Sequence, residues 1–400
     1  MFEWSETHQS IRKMFRQYME KEVAPHVEAM ETGEMLPYDL FRKIVKDFGI
    51  RDEIGARFAK GDGAEKKEKS EGDEDSGGGM SAIGQLLMIE MSRISPGFTM
   101  SFGASIGLAG FAIMKKGTPE QRERWGLPLL RFDKIGAWGL TEPSAGSDAF
   151  GSMRTRAKRD GATYILNGSK TFITNAPYAD TFVIYAKVED EAQGNPIRSF
   201  VVERGTPGLA TGEPMKKMGM CGSPTGEIFL DDCRVPADQL LGGERAINRD
   251  HVKESLQGER GGLPAMALGI IERCLEDSLR YVQEREQFGQ PIANFQLVQA
   301  KLARMYIHYE NVRNLVFKQI WAAEGRGTMK DASVCKVYGS EAATQVALDA
   351  IQIHGGYGYM REYQVERFMR DAKLLEIGAG TTEIQLLTIA RELLSKGLDG

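Results

Sequence analysis

The periodicity of the hydrophobic residues changes twice along this 400-residue chain. In the first part, apolar residues recur at helical spacing, as at Ile11, Met14 and Phe15. The middle part has short β-branched and aromatic runs separated by Asn-Gly, Gly and Pro turns, as in GATYILNGSKTFITNA. Long amphipathic helical patterns then return. We therefore predict an α+β protein with an N-terminal helical domain (1–135), a central antiparallel β domain (136–243) and a C-terminal helical domain (244–400).

One segment interrupts the first helical part. Residues 57–79 are rich in charged residues and glycine and offer almost no apolar side chain to bury. We predict an inserted, mobile surface loop. A docking segment for a partner protein is the alternative.

Composition excludes several classes of protein. The formal net charge of −5, without a basic stripe, argues against nucleic-acid binding. The four cysteines lie far apart without CxxC spacing, which indicates a reducing compartment and neither disulfides nor a metal site. The N-terminal residues have no apolar signal region, and no apolar run approaches the ~20 residues of a membrane span. A cytoplasmic location without a membrane span is the expectation.

Small and hydroxyl-bearing residues cluster where the first helical part meets the β part. The run GAWGLTEPSAGSDA, residues 136–149, suits a planar polar ligand or a phosphate, although a turn at a domain boundary has the same composition. Polar clusters also occur in TFITNA, REQFGQPIANFQ and QIHGGYGY. Each alone is typical of a turn or a cap, but together they predict a large ligand that touches several segments. GGYGYM lacks the strand–GxGxxG–helix context of a dinucleotide fingerprint.

Six motifs in a fixed order make the chain resemble the acyl-CoA dehydrogenase family over essentially its whole length: GLTEPSAGSD, NGSKTFITN, REQFGQPI, FQLVQAKLA, QIHGGYGY and IGAGTTE. The resemblance implies an N-terminal helical domain, a central antiparallel, barrel-like β domain and a C-terminal four-helix bundle. FAD would be held between the last two. The family is typically tetrameric, so a homotetramer in which each FAD also contacts a neighbouring subunit is implied.

The resemblance also assigns FAD contacts. The segment 138–147 would line the flavin ring, with Thr141 at its polar edge, and 172–174 would cover the other side. Arg285 would pair with the pyrophosphate, and 352–356 would reach a neighbour's FAD. The implied FAD-binding residues are Trp138, Leu140, Thr141, Ser147, Phe172, Ile173, Thr174, Arg285, Gln287, Phe288, Phe295, Gln296, Gln352, His354, Gly355, Gly356, Thr381 and Glu383.

The catalytic carboxylate of most family members is missing from its usual place. The family's reaction removes an α-proton from a thioester, and most members have the glutamate base at the position of Ala379. A branch that resembles isovaleryl-CoA and long-chain dehydrogenases supplies it from a C-terminal helix, and the matching residue here is Glu259. A solvated helix glutamate is the alternative. The backbone N–H of Ala379 would still polarise the thioester carbonyl.

The acyl-CoA contacts implied by the resemblance are Ser147, Thr99, Arg260, Gly378, Gly380 and Arg391. Gly378 stands where straight-chain members have a bulky aromatic residue, which leaves space for a branch or ring. Thr99 stands where members acting on dicarboxylyl thioesters have an arginine. That favours an uncharged acyl group, although Arg93 nearby keeps the alternative open.

The resemblance implies an enzyme that uses FAD to oxidise a short branched, cyclic or otherwise bulky acyl-CoA to the 2-enoyl-CoA. Electrons would pass to an electron-transfer flavoprotein. One alternative is an oxygen-using relative, similar to a flavin oxidase or monooxygenase. Another is a catalytically silent flavoprotein scaffold. Glu259 favours the dehydrogenase, because neither alternative needs a base there.

Overall fold

The computed structural model describes residues 3–59, 79–190, 194–243, 250–322 and 327–398. Most of the segment predicted as an inserted loop, residues 60–78, therefore lies outside the described residues.

The chain begins with short helices. Side-chain caps start several of them: Ser5 accepts from the His8 amide before the helix Glu6–Tyr18, and Ser95 accepts from the Phe98 amide before the helix Pro96–Gly103. The helices of this part are α1 (Glu6–Tyr18), α2 (Val27–Thr32), α3 (Tyr38–Asp47), α4 (Ile50–Ala59), α5 (Gly79–Ile94), α6 (Pro96–Gly103), α7 (Phe111–Lys116), α8 (Pro119–Gln121) and α9 (Leu127–Leu130).

One helical run in this part is both long and apolar. Pro96–Lys116, which includes α6, α7 and a π-helical stretch between them, has the length and composition of a membrane span, with a mean hydropathy of 1.5. The statement from the sequence that no apolar run approaches that length was therefore wrong. Over half of its most apolar window, 56%, is buried inside the fold, as in a core helix. Its π-helical stretch packs against the first strand of the sheet.

The central part forms a seven-stranded sheet. Its strands are β1 (Gly136–Gly139), β2 (Arg156–Asp160), β3 (Thr163–Thr174), β4 (Thr181–Val188), β5 (Ile197–Glu203), β6 (Leu209–Thr211) and β7 (Thr225–Pro236). Their order in the sheet is β1-β4-β2-β3-β7-β6, with β5 paired to β4. The sheet is mixed and not purely antiparallel as the sequence predicted, because β1 and β2 both pair parallel to β4. Parallel pairing requires long connections, and residues 140–180, which include β2 and β3, supply the one between β1 and β4.

The last part consists of long helices. Its elements are α10 (Asp250–Glu284), β8 (Glu286–Gln287), β9 (Gln290–Pro291), α11 (Gln296–Trp321), α12 (Met329–His354), α13 (Val365–Ile377) and α14 (Thr382–Lys396). Helix α12 lies centrally and packs against α10, α11, α13 and α14. Polar residues on α12 therefore reach the turn that joins α13 to α14.

The N-terminal helices share their apolar cores with both other parts. Phe41 and Phe98 pack in one core with the β-sheet residues Phe182 and Phe200, whereas Ile89 of α5 packs in another core with the C-terminal helices. Burial of shared apolar surface fixes the three parts relative to one another. That arrangement places the ends of β1 and β3 and the α13–α14 turn in a single rigid frame.

Candidate functional site

The segment after β1 turns back on itself beside β3. Glu142 and Ala145 exchange two backbone hydrogen bonds, with N···O distances of 3.2 and 3.0 Å. The amide of Thr171 on β3 donates to the carbonyl oxygen of Thr141 at 3.0 Å. The predicted flavin-lining segment therefore lies against the predicted flavin-covering strand, with Ser147 exposed beyond the turn.

Trp138 supplies a test of whether this segment fits a flavin. Its ring is buried on β1 and packs edge-on against Tyr185, with the centroids 5.2 Å apart. Its indole Nε1 is buried and has no hydrogen-bond partner among the described residues. Because protein atoms cover this donor, it does not open onto a ligand site. The fit to a flavin depends on its neighbours, the half-buried Thr141 and the exposed ring of Phe172.

Phe172 interrupts β3 in an unusual conformation. The pairing of β3 with β7 shifts register between Lys170 and Ile173, so Phe172 lies in a bulge. Its φ is +57°, and 69% of the side chain is exposed. Bulges and left-handed non-glycine residues are enriched at functional sites. Ile173 is buried and Thr174 is half-buried, so Phe172 is the residue of this segment that faces outward.

Behind Thr141 lies a fully buried ion pair. Lys170 Nζ donates to the carbonyl oxygen of Leu140 at 3.1 Å and to Glu142 Oε1 at 2.9 Å. Burial lowers the pKa of Lys170 to about 8, although the Glu142 carboxylate opposes that shift. Burial alone would raise the pKa of Glu142, but the hydrogen bonds from Lys170, Thr155 and the backbone hold it below its ordinary value.

A second group of predicted residues meets at the end of α10. Arg285, Gln287, Gly355 and Gly356 line a cavity of about 550 Å³ together with Tyr357. The Arg285 guanidinium lies 5.7 Å from the centre of the Tyr357 ring. An arginine held over an aromatic ring at an open cavity suits a pyrophosphate or an adenosine. The lining of this cavity includes no residue of the segment 138–147, so the predicted FAD contacts here are separate from those beside β3.

Histidine and phenylalanine side chains extend this second group. His354 is buried, stacks on Tyr281 at a centroid distance of 4.3 Å, and its pKa is lowered by burial. Phe288 has a φ of +54°, is 92% exposed, and meets Phe295 edge-on at 5.9 Å. Gln352, two residues before His354, and Gln296, which follows Phe295, are also exposed. Phe288 therefore presents an exposed ring next in sequence to Gln287, which lines the cavity.

The α13–α14 turn contains a left-handed alanine. Ala379 has a φ of +54° and Gly380 a φ of +89°. Thr381 then caps α14 by accepting from the Ile384 amide, and Glu383 lies in the first turn of that helix. An anion at this helix N-terminus is favourable. Arg391 is exposed farther along α14.

Buried polar side chains hold this turn in place. Gln385 Nε2 donates to the carbonyl oxygens of Ala379 and Gly380 at 2.9 and 3.3 Å. Lys336 of α12 is buried and donates to the carbonyl oxygen of Glu376 at 2.8 Å. Sequence reasoning missed Gln385, Lys336 and the Lys170–Glu142 pair. The sequence signal for each was a polar residue within an apolar or helix-capping segment. Many solvated residues have the same surroundings in sequence.

The residues considered for a charged acyl group are already bonded within the protein. Thr99 is buried and donates its hydroxyl to the Ser95 carbonyl oxygen at 3.0 Å. Arg93 binds both carboxylate oxygens of Glu276, at 2.9 and 2.6 Å, and also faces Glu90 at 3.2 Å. Arg93 is therefore neutralised by carboxylates of the protein.

Two predicted residues are described only by their backbone. Glu259 and Arg260 lie within α10, which is helical from Asp250 to Glu284, but their side chains lie outside the described part of the structure. Among the described residues, no group of three or more His, Cys, Asp and Glu side chains could hold a metal ion.

Three family models match the chain. The model of the acyl-CoA dehydrogenase N-terminal domain matches residues 5–51 and 72–133, the middle-domain model matches 137–233, and the C-terminal-domain model matches 249–394. The probable acyl-CoA dehydrogenase YngJ of Bacillus subtilis is 40% identical over 98% of this chain and 99% of its own. Rice isovaleryl-CoA dehydrogenase is 34% identical over 98% of this chain and 92% of its own.

The similarity to solved structures agrees with the match to the family models. Butyryl-CoA dehydrogenase of Megasphaera elsdenii has a TM-score of 0.86 at 37% identity, covering 98% of this chain and all of that one, 100%. A chain in the structure of the electron transferring flavoprotein of Acidaminococcus fermentans has a TM-score of 0.85 at 35% identity, with coverages of 98% and 99%. A glutaryl-CoA dehydrogenase of Mycobacterium smegmatis in complex with FADH2 has a TM-score of 0.84 at 29% identity, with coverages of 99% and 96%.

Proposed function

The chain belongs to the acyl-CoA dehydrogenase family, and on that premise we propose that it oxidises a short branched, cyclic or otherwise bulky acyl-CoA to the 2-enoyl-CoA. Members of the family depend on FAD, and the chain is an oxidoreductase of this kind. The observation that carries the proposed acyl group is the open space at Gly378.

The backbone conformation at position 378 does not require a glycine. Its φ is −69°, which any residue can adopt, whereas the neighbouring left-handed position is occupied by Ala379. A Cβ added at Gly378 would meet only the carbonyl oxygen of Leu374, at 3.4 Å, with no other atom within 4 Å. The missing side chain therefore leaves volume at this turn. That volume supports an acyl group that is branched or cyclic near the thioester.

The bonding of Thr99 and Arg93 supports an uncharged acyl group. Thr99 offers a hydroxyl that already donates to a backbone carbonyl oxygen. Arg93 is neutralised by Glu276 and Glu90, and the pKa of its guanidinium is raised because those charges outweigh its burial. A free ω-carboxylate would have to displace one of these carboxylates.

The residues proposed to hold FAD lie in three regions: beside β1 and β3, at the cavity of Arg285, and at the start of α14 with Thr381 and Glu383. Bound FAD supplies the acceptor for the hydride equivalent that leaves the acyl β-carbon. Thr141 would hold the polar part of the flavin ring, and Phe172 would cover its other side. Arg285 would neutralise a pyrophosphate charge from the second region. Because that region lies in a separate cavity, we propose that it serves the FAD of a neighbouring subunit in a homotetramer.

Proton removal is assigned to Glu259. Its carboxylate would take the α-proton of the acyl group, and the C–H bonding electrons would form the new double bond as the β-hydride leaves. The backbone N–H of Ala379 would donate to the thioester carbonyl oxygen, where negative charge develops. This division places the base on α10 and the oxyanion donor on the α13–α14 turn.

Electrons would then pass to an electron-transfer flavoprotein. The support is the likeness to a chain in the structure of the electron transferring flavoprotein of Acidaminococcus fermentans. Exposed apolar side chains such as Phe288, Leu297 and Tyr359 on the C-terminal part support an assembly in which they are covered.

An anaerobic screen of acyl-CoAs with an artificial electron acceptor tests the proposal. We expect isovaleryl-CoA or cyclohexanecarboxyl-CoA to bleach the flavin with a higher kcat/KM than butyryl-CoA or glutaryl-CoA. A preference for butyryl-CoA would contradict the proposed acyl group. Turnover that requires oxygen would favour the oxidase-like alternative, and flavin that no acyl-CoA bleaches would favour the silent scaffold.

A further inference from the structure

Lys170 is a charged residue in the interior of a β-strand. It is fully buried on β3, two residues before the Phe172 bulge. Its Nζ donates to Glu142 Oε1 and to the carbonyl oxygen of Leu140. Both hydrogen bonds lie inside the protein, so the Lys170 ammonium has lost its contact with water. A buried ion pair adds little net stability compared with apolar residues of similar volume, so another role must explain it.

The partner carboxylate is held by more than Lys170. Glu142 accepts from the backbone amides of Arg154 and Thr155 at 2.6 and 2.9 Å, and from the Thr155 hydroxyl. Four donors converge on one buried carboxylate. Such a saturated network has one geometry and resists displacement. It fixes Glu142, Lys170 and the carbonyl oxygen of Leu140 relative to one another.

This network also fixes the backbone on both sides of Thr141. The Leu140–Thr141 peptide is trans, so the N–H of Thr141 points away from the carbonyl oxygen that Lys170 holds. The next peptide is fixed as well, because the Thr141 carbonyl oxygen accepts from the Thr171 amide and the Glu142 amide donates to Ala145. Thr141 therefore lies between two immobilised peptide groups. The directions of its N–H and of its Cα–Cβ bond are therefore set by β3 and by the Glu142–Ala145 turn.

We propose that Lys170 and Glu142 are positioning residues that aim the N–H and hydroxyl of Thr141 at the polar edge of the flavin ring. This inference rests on the role proposed for Thr141 and goes beyond it. Both side chains are buried in the protein, so neither would touch FAD. Each acts through the peptide group of Leu140 and the turn at Glu142, and the pair carries no net charge.

The reduction potential of bound FAD reports this role without any substrate. Donors at the polar edge stabilise the electron-rich reduced ring more than the oxidised ring. The double variant Lys170→Met/Glu142→Gln removes both charges, so the net charge is unchanged while the hydrogen bonds from Lys170 to Leu140 and Glu142 are lost. We expect its potential to fall by about 30 mV or more, which is a tenfold change in equilibrium constant for a two-electron couple. The visible flavin spectrum should shift as well.

A matched control uses an exposed ion pair of the same sheet. Arg234 on β7 and Asp160 on β2 lie 3.0 Å apart, and both are mostly exposed. The double variant Arg234→Met/Asp160→Asn should keep the wild-type potential and spectrum. A folded Lys170→Met/Glu142→Gln variant with wild-type potential, spectrum and FAD affinity would overturn the proposal.

If the double variant Lys170→Met/Glu142→Gln does not fold, a single variant tests the same proposal. Thr155→Val removes one donor from the Glu142 carboxylate and changes no charge. We expect a smaller shift of the potential in the same direction, and an unchanged potential would overturn the proposal. Wild-type turnover of acyl-CoA is measured separately. An inactive wild type that binds FAD would count against the proposed reaction and leave the comparison of potentials intact.

Discussion

Gln385 donates its side-chain amide to the carbonyl oxygen of Ala379 at 2.9 Å, across the turn that joins α13 to α14. Its Oε1 accepts from the Ser333 hydroxyl at 2.8 Å, and the whole side chain is buried. Ala379 has a φ of +54°, a conformation that alanine adopts rarely. We infer that Gln385 holds the alanine in this conformation, and with it the direction of the N–H that would polarise the thioester.

The first prediction concerns this contact. Gln385→Leu removes both hydrogen bonds to the turn and leaves the shape of the side chain nearly unchanged. We expect kcat/KM for the best acyl-CoA to fall by about 10-fold or more, because a misdirected oxyanion donor loses transition-state stabilisation. FAD content should stay near wild type. Steady-state kinetics with flavin absorbance on the same sample measure both.

Thr388→Val is the matched control for that variant. The Thr388 hydroxyl lies on the same helix and donates only to the carbonyl oxygen of Ile384, at 2.9 Å. This variant should keep wild-type kcat/KM. Equal losses for Thr388→Val and Gln385→Leu would show that α14 responds to any lost hydrogen bond, and the specific role of Gln385 would be wrong.

The second prediction concerns FAD retention. Arg285→Ala should weaken FAD binding by about 10- to 100-fold, because a charge-assisted contact to a pyrophosphate contributes roughly 1.5–3 kcal/mol. Equilibrium dialysis of protein that has been stripped of FAD and then incubated with FAD gives the dissociation constant directly. Arg304→Ala, an exposed arginine on α11, serves as the control and should retain FAD. Equal retention in both variants would place the pyrophosphate elsewhere.

The sequence predicted the order of the three parts because hydrophobic periodicity is a local property. It did not predict that β1 and β2 run parallel to β4, since that pairing joins segments distant in the chain. Likewise, the position of each glycine and hydroxyl cluster is visible in one dimension. The contact of Thr171 with Thr141 is not, because it depends on how β3 lies beside the end of β1.

Buried polar residues were the hardest part of the site to predict. Lys170 stands in the run SKTFITN, where a lysine usually marks the solvated face of a strand. Its burial follows from Glu142, which lies far away in sequence and supplies the compensating charge. Gln385 has the same difficulty, because its acceptors are backbone carbonyl oxygens that a sequence cannot display.

The third prediction concerns the space at Gly378. Gly378→Tyr should fold, because the backbone there has an ordinary φ and an added Cβ meets only one atom, at 3.4 Å. The ring would fill the proposed space, so kcat/KM should fall more for isovaleryl- or cyclohexanecarboxyl-CoA than for butyryl-CoA. Gly378→Ala provides a control with little added volume. Equal losses on all three substrates would mean that the space does not face the acyl chain.

The fourth prediction concerns the proposed base. Glu259→Gln preserves size and the helix propensity of α10 but removes the proton acceptor. We expect the FAD spectrum to be unchanged and the rate of flavin reduction by acyl-CoA to fall by about 10²-fold or more, the usual scale for a lost general base. Stopped-flow absorbance under anaerobic conditions measures this rate. Wild-type reduction by Glu259→Gln on the best substrate would show that the base lies elsewhere.

Moving the carboxylate tests whether Glu259 and position 379 face the same α-carbon. The double variant Glu259→Gly/Ala379→Glu places a carboxylate on the α13–α14 turn, where Ala379 already has a Cβ in the left-handed conformation. Flavin reduction should recover in part relative to Glu259→Gly alone. The new side chain fills space beside Gly378, so the recovery should favour butyryl-CoA over branched acyl-CoAs. A folded, FAD-containing double variant that is no faster than Glu259→Gly would show that the two positions do not share a substrate atom.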